Sequence, residues 1–218
     1  MRKARMHSVL SAALPNAVAP TRMVWLPGAY HGSRDFVEAG FPQVVRNRSL
    51  PLDLWLVDLQ LRHLGDRSVL EQLRSEFVLP ARAAGCAVWL GGISLGGFIA
   101  LDYAASYPGE LDGLCLLAPY LGNRMLTAEI AGAAGVAAWQ PGELAQIDEE
   151  RRIWRYIKSR DADALPLYLG FGRDDRFSTA HELLAAVLPP DRVAKIAGGH
   201  EWSTWSALWE IFLDSRFT

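Results

Sequence analysis

Ser94 sits within Gly92-Ile93-Ser94-Leu95-Gly96, a G-x-S-x-G arrangement that closes one apolar run and opens the next segment. At a sharp strand-to-helix turn this spacing lifts a serine hydroxyl out of a sheet edge, where side chains two residues before and after it would collide. The first amides of the following helix then point at the same spot, so negative charge developing on a substrate oxygen is stabilised there. The chemistry implied is attack by the Ser94 oxygen on a carbonyl carbon.

A serine hydroxyl is inert without a base. The segment AKIAGGHEW places His200 just past the last apolar run, after two glycines that permit a tight turn. Of the other histidines, His7 lies in the N-terminal segment, His31 comes after the first run, His63 after a different one, and His181 falls in a helical pattern. His200 is therefore the expected base. The acid that orients it is expected between Ser94 and His200, at a strand end, and LYLGFGRDDRF offers Asp174 and Asp175. Asp175 is preferred, with Gly172 three residues before it and Phe177 two after; Asp174 remains the alternative.

These residues need a scaffold. From Met23 onward, short apolar runs alternate with helical patterns, which predicts an α/β fold with a mostly parallel sheet and helices on both faces. The expected strands are Met23 to Leu26, Leu52 to Asp58, Ala87 to Ile93, Gly113 to Leu117, Pro166 to Phe171 and Arg192 to Ile196, about six in all. Pro80 should kink or end the helix that begins at Ser68 before it reaches Gly85, and Leu95 to Tyr107 should form the next. In the last helix, Trp202, Trp205, Trp209 and Phe212 share one face and are expected to be core.

Serine, acid and histidine in that order along the chain is the order of the α/β-hydrolase superfamily, which this sequence resembles from about Met23 to its end. The resemblance implies that fold, a triad of Ser94, Asp175 and His200, and an oxyanion hole of two backbone amides. Leu95 would give one amide. Ala29 or Tyr30 would give the other from WLPGAYHGS, where Pro27-Gly28 stands in place of the family's frequent His-Gly pair. The expected activity is cleavage of a carboxylic ester or thioester without metal or cofactor. An acyltransferase with the same triad and a catalytically idle binding protein are the alternatives. The two N-terminal strands common in the family have no expected counterpart before Met23.

Substrate choice is expected from the long connection at about 119–165, which carries no strand signal and is a candidate helical lid. Tyr30, Trp139, Trp154 and Tyr156 would line an apolar acyl pocket, and Arg124, Arg151, Arg152 and Arg155 would meet an anionic group. Packing and a solvated helix face are the competing readings.

Composition excludes other classes of partner. With 22 Lys plus Arg against 24 Asp plus Glu in 218 residues, neither sign forms a block that could track a nucleic acid. No apolar stretch reaches the length of a membrane span. Cys86 and Cys115 sit inside apolar runs and read as reduced core thiols, which fits the cytoplasm. Residues 1–22 are expected as a disordered or loosely packed extension before one domain at 23–218. Their basic start and Ala17-Val18-Ala19 give a secreted alternative, with residues 1–19 as a signal peptide.

Overall fold

The computed structural model describes residues 5–13, 18–59, 68–143, 148–160 and 165–217. Its strands are β1 (Ser8–Ser11), β2 (Thr21–Leu26), β3 (Leu52–Val57), β4 (Ala87–Ile93), β5 (Gly113–Leu117), β6 (Leu167–Gly172) and β7 (Val193–Ile196). They form one sheet in the order β1-β3-β2-β4-β5-β6-β7, parallel throughout except for the β1–β3 pair.

The five inner strands, β2 to β6, are mostly buried on both faces, as their nearly continuous apolar sequences require. Side chains alternate: Val24, Leu26, Val88, Leu90, Leu114 and Leu116 pack on one side, while Met23, Trp25, Trp89, Ile93, Cys115 and Leu117 pack on the other. The second face is covered by α1 (Ser33–Glu38), α2 (Phe41–Asn47) and α9 (Trp202–Phe217). Trp205, Trp209 and Phe212 of α9 are core, as expected, whereas Trp202 is only half-buried and packs on His31. The first face carries α3 (Ser68–Leu73), α4 (Leu79–Ala83), α5 (Leu95–Ser106), α6 (Arg124–Gly132), α7 (Glu149–Ser159) and α8 (Ser178–Ala185). Cys86 and Cys115 are both buried free thiols.

One expectation is corrected. The seventh strand, β1, comes from the segment expected as a loose extension. Ser8–Ser11 pairs antiparallel along β3, held by the backbone ladder, with Val9 and Leu10 still 38% and 50% exposed. Residues 1–4 and 14–17, which hold part of the signal-like pattern including Ala17, lie outside the described residues. The helix that begins at Ser68 ends at Ala83, before Gly85; Pro80 has no N–H for the carbonyl four residues back, and a π-helical turn at Arg74–Val78 precedes it and widens the spiral before α4.

Among the described residues, no helix is long and apolar enough to cross a membrane.

Candidate active site

Ser94 joins β4 to α5 with φ 52° and ψ −113°, a positive-φ conformation that costs about 1–3 kcal/mol for a residue other than glycine. The turn leaves no room on either side. A Cβ on Gly92 would lie 2.4 Å from the Gly96 carbonyl, and a Cβ on Gly96 would lie 2.1 Å from the Leu26 carbonyl oxygen. Gly97 also permits a close approach: a Cβ built there would lie 2.7 Å from Pro119 in the loop after β5 and 3.3 Å from the Gly92 carbonyl oxygen of β4.

The loop after β7 brings His200 over this turn. Its Nε2 is 3.0 Å from Ser94 Oγ and its Nδ1 is 2.7 Å from Asp175 Oδ2. Because a carboxylate only accepts, Nδ1–H donates to it and Nε2 keeps a lone pair for the Ser94 proton. Phe177 and Trp205 meet the imidazole edge-on, each with its centroid 5.1 Å away, and fix the plane of the ring.

Asp175 and Asp174 have separate tasks. Asp175 is 3% exposed, and its other oxygen accepts the Phe177 N–H at 2.8 Å. Burial pushes its carboxyl pKa up, but the bonds from His200 and the Phe177 amide outweigh that and hold it below the ordinary value. Asp174 is exposed and braces the histidine loop: its carboxylate accepts the Gly198 N–H at 3.2 Å, and its own N–H donates to the Gly198 carbonyl at 3.0 Å.

The loop after β2 forms the facing wall. His31 N–H closes a turn onto the Gly28 carbonyl at 3.2 Å, with Tyr30 in the left-handed region at φ 66°. A Cβ on Gly28 would stand 3.4 Å from Ser94 Cβ, so this loop passes beside the serine at Gly28. The Leu95 amide opens α5 and has no acceptor within the helix. The Tyr30 side chain is 91% exposed at this rim.

Most of the other residues expected to bind substrate are packed or paired within the chain. Trp139 and Trp154 are 1% and 0% exposed in the core; Trp154 Nε1–H donates to the Leu121 carbonyl, and Trp139 Nε1–H donates to Glu129. Both side chains pack in the core on the first face of the sheet. Tyr156 is half-buried beside Tyr107 and Leu165, in a cavity of about 210 Å³. Arg151 pairs with Glu129 and Asp148, and Arg152 pairs with Asp102, so both guanidinium groups already have carboxylate partners within the chain. Arg124 and Arg155 are exposed.

Three aromatic side chains that sequence reasoning did not assign complete the surroundings. Phe177 touches His200, Tyr120 meets Phe177 with ring centroids 6.0 Å apart, and Phe98 meets Tyr120 at 5.7 Å. Tyr120 comes just after β5, and the carboxyl ends of parallel strands are where ligands meet such a sheet; that position was the available signal. Its hydroxyl donates to Glu150 at 2.6 Å, which ties this wall to α7.

His181 was also unassigned. It is fully buried against Phe171, its Nε2 lies 2.9 Å from the Pro119 carbonyl oxygen, and its Nδ1 has no partner among the described residues. Burial lowers its pKa from 6.5 to about 4. The unfolded chain therefore takes up a proton at about 6.5 that the fold resists until about 4, so stability is complete above that window and is lost as pH falls through it. The full effect is about 3 kcal/mol. Asp175, with its lowered pKa, acts in the same direction once the pH drops below the ordinary carboxylate value. Thermal melts should show Tm falling from pH 7 to 4.5, with a shallower fall in His181→Gln; equal slopes would contradict the assignment.

His7 bonds Asp58, and His63 lies outside the described residues. Among the described residues, no group of three or more His, Cys, Asp or Glu side chains is placed to hold a metal ion.

The sheet order, the turn at Ser94 and the crossovers make this an α/β-hydrolase fold. Solved structures agree over nearly the whole chain. It is similar to a monoacylglycerol lipase from Paleococcus ferrophilus (14% identity, TM-score 0.64, covering 97% of this chain and 100% of that one). It is similar also to an S-formylglutathione hydrolase from Staphylococcus aureus (10%, TM-score 0.67, 97% and 93%). A carboxylesterase from Bacillus subtilis gives 14%, TM-score 0.58, 97% and 87%. No protein-family model and no curated protein sequence matches the chain.

Proposed function

We propose that the protein is a serine hydrolase that cleaves a carboxylic ester or thioester through an acyl-enzyme. The observation that carries this reading is the continuous hydrogen-bonded line from Asp175 through His200 to Ser94, ending on a serine held at positive φ. The similar folds of a lipase and two other hydrolases give it further support.

His200 Nε2 takes the Ser94 proton as Oγ bonds to the carbonyl carbon, and the carbonyl π pair moves onto oxygen. The amides of Leu95 and of Ala29 or Tyr30 receive that oxyanion, each worth about 3–4 kcal/mol of transition-state stabilisation. Asp175 stabilises the imidazolium and keeps its tautomer. The tetrahedral centre collapses, the bond to the leaving oxygen or sulfur breaks, and the leaving group departs with the proton from Nε2. Water, deprotonated by the same nitrogen, then releases the acid and restores Ser94. These steps draw only on the chain and water.

The aromatic line of Phe177, Tyr120 and Phe98 beside His200 favours an apolar acyl group. An idle binding protein would have no use for a serine held at this positive φ in contact with a carboxylate-paired histidine. The test is turnover of 4-nitrophenyl acetate and butyrate and of a phenyl thioester, with and without an added alcohol. Free acid should be the product in both cases. Preferential acyl transfer to the alcohol would make the protein an acyltransferase, and inertness toward all three substrates would refute the reading.

A further inference from the structure

Buried imidazoles are costly when one ring nitrogen has no partner, and His181 is one: 0% exposed, with an orphan Nδ1 among the described residues. A carbonyl oxygen only accepts, so Nε2 carries the proton and donates to Pro119 at 2.9 Å. The side chain supplies that donor.

The Pro119 C=O and the Tyr120 N–H belong to one planar trans peptide group and point in opposite directions. The Tyr120 N–H donates to the Ser94 carbonyl at 2.8 Å, the shortest of three bonds that this oxygen accepts; Gly97 and Phe98 give the others at 3.0 and 3.2 Å. The Ser94 C=O and the Leu95 N–H are in turn the two ends of the next peptide group. A single line therefore runs from His181 Nε2–H through two peptide groups to the Leu95 N–H, the amide assigned to the oxyanion in the proposed reaction. Each link polarises and orients the next.

The backbone on either side of this peptide group is held separately. The Ala118 N–H donates to the Gly170 carbonyl at 2.7 Å, with Ala118 at φ 46° in the left-handed region, and Pro119 packs into the space that Gly97 leaves. Neither contact touches the Pro119 carbonyl. Without a donor at position 181, the Pro119–Tyr120 group loses the bond that sets its tilt, and the anchor that it gives the Ser94–Leu95 group is weakened.

We propose that His181 is a positioning residue that aligns and polarises the Leu95 amide for the oxyanion, through the Pro119–Tyr120 peptide group. This rests on the reading of Ser94 as the nucleophile. It assigns a buried side chain with no access to substrate an effect on the transition state and none on ground-state binding.

The test compares wild type, His181→Gln, His181→Asn and His181→Leu. It measures kcat and KM for 4-nitrophenyl acetate, the rate of Ser94 labelling by a fluorophosphonate, and Tm. A glutamine amide reaches the position of Nε2 and should retain kcat within about threefold. Leucine removes the donor, and asparagine is too short to reach Pro119. Both should lower kcat and the labelling rate about ten- to hundredfold with KM unchanged. A folded His181→Leu that turns over and labels like wild type would overturn the proposal, as would glutamine and asparagine variants with equal kcat. The second comparison decides the matter if the leucine variant fails to fold. Wild-type protein that neither turns over ester nor labels at Ser94 would instead overturn the nucleophile reading itself, and this inference with it.

Discussion

Replacing Ser94 by alanine should lower ester turnover about a millionfold, and His200→Ala should do the same, while Tm stays within a few degrees of wild type. The two losses should not add in the double variant, because oxygen and base act as one unit: the 3.0 Å contact is useful only when both partners are present. The fold should tolerate both changes. Ser94 and His200 are only half-buried, and their contribution to the core is small beside the apolar strands that flank them. Steady-state kinetics with 4-nitrophenyl acetate, beside circular dichroism and thermal melts, checks the expectation. A Ser94→Ala protein retaining a tenth of its activity would place the reacting group elsewhere.

The second large effect separates two adjacent carboxylates. Asp175→Asn should cost about ten-thousandfold in kcat, because an amide nitrogen facing Nδ1 favours the tautomer with its proton on Nε2, which then cannot accept from serine. Asp174→Asn should cost less than about tenfold, since that side chain holds the Gly198 amide and does not touch the imidazole. Rates measured for the pair decide it: reversed magnitudes would move the acid to Asp174 and leave the rest of the site standing.

Much of this site was legible in the chain because its determinants are local. The G-x-S-x-G spacing is a statement about a single turn, and the contacts that a Cβ at Gly92 or Gly96 would make show why no other residue serves there. Asp175 was legible through the turn that Gly172 and Phe177 bracket. Strands β2 to β6 were legible because burial on both faces leaves a nearly continuous apolar run, which the partly exposed edge strand β7 has only in part.

What the sequence concealed depends on distant partners. Trp139 and Trp154 carry the same helical spacing whether they face a pocket or the core, and the bond from Trp154 to the Leu121 carbonyl, 33 residues away, has no local signature. β1 is held by main-chain pairing along β3, and a four-residue edge strand with two outward apolar side chains carries no periodic signal. His181 reads as one more polar residue on a helix until the Pro119 carbonyl is placed beside it. Arg151 and Arg152 looked available for an anion for the same reason: Glu129 and Asp102, which neutralise them, are far away in sequence.

Incubation of the pure protein with a fluorophosphonate, then peptide mass spectrometry, tests the central claim most directly, with His200→Ala as the control. An activated serine predicts a single adduct on Ser94 that forms rapidly in the wild-type protein and is absent from the control. An adduct on another residue, or equal labelling of Ser94 in both proteins, would contradict the account.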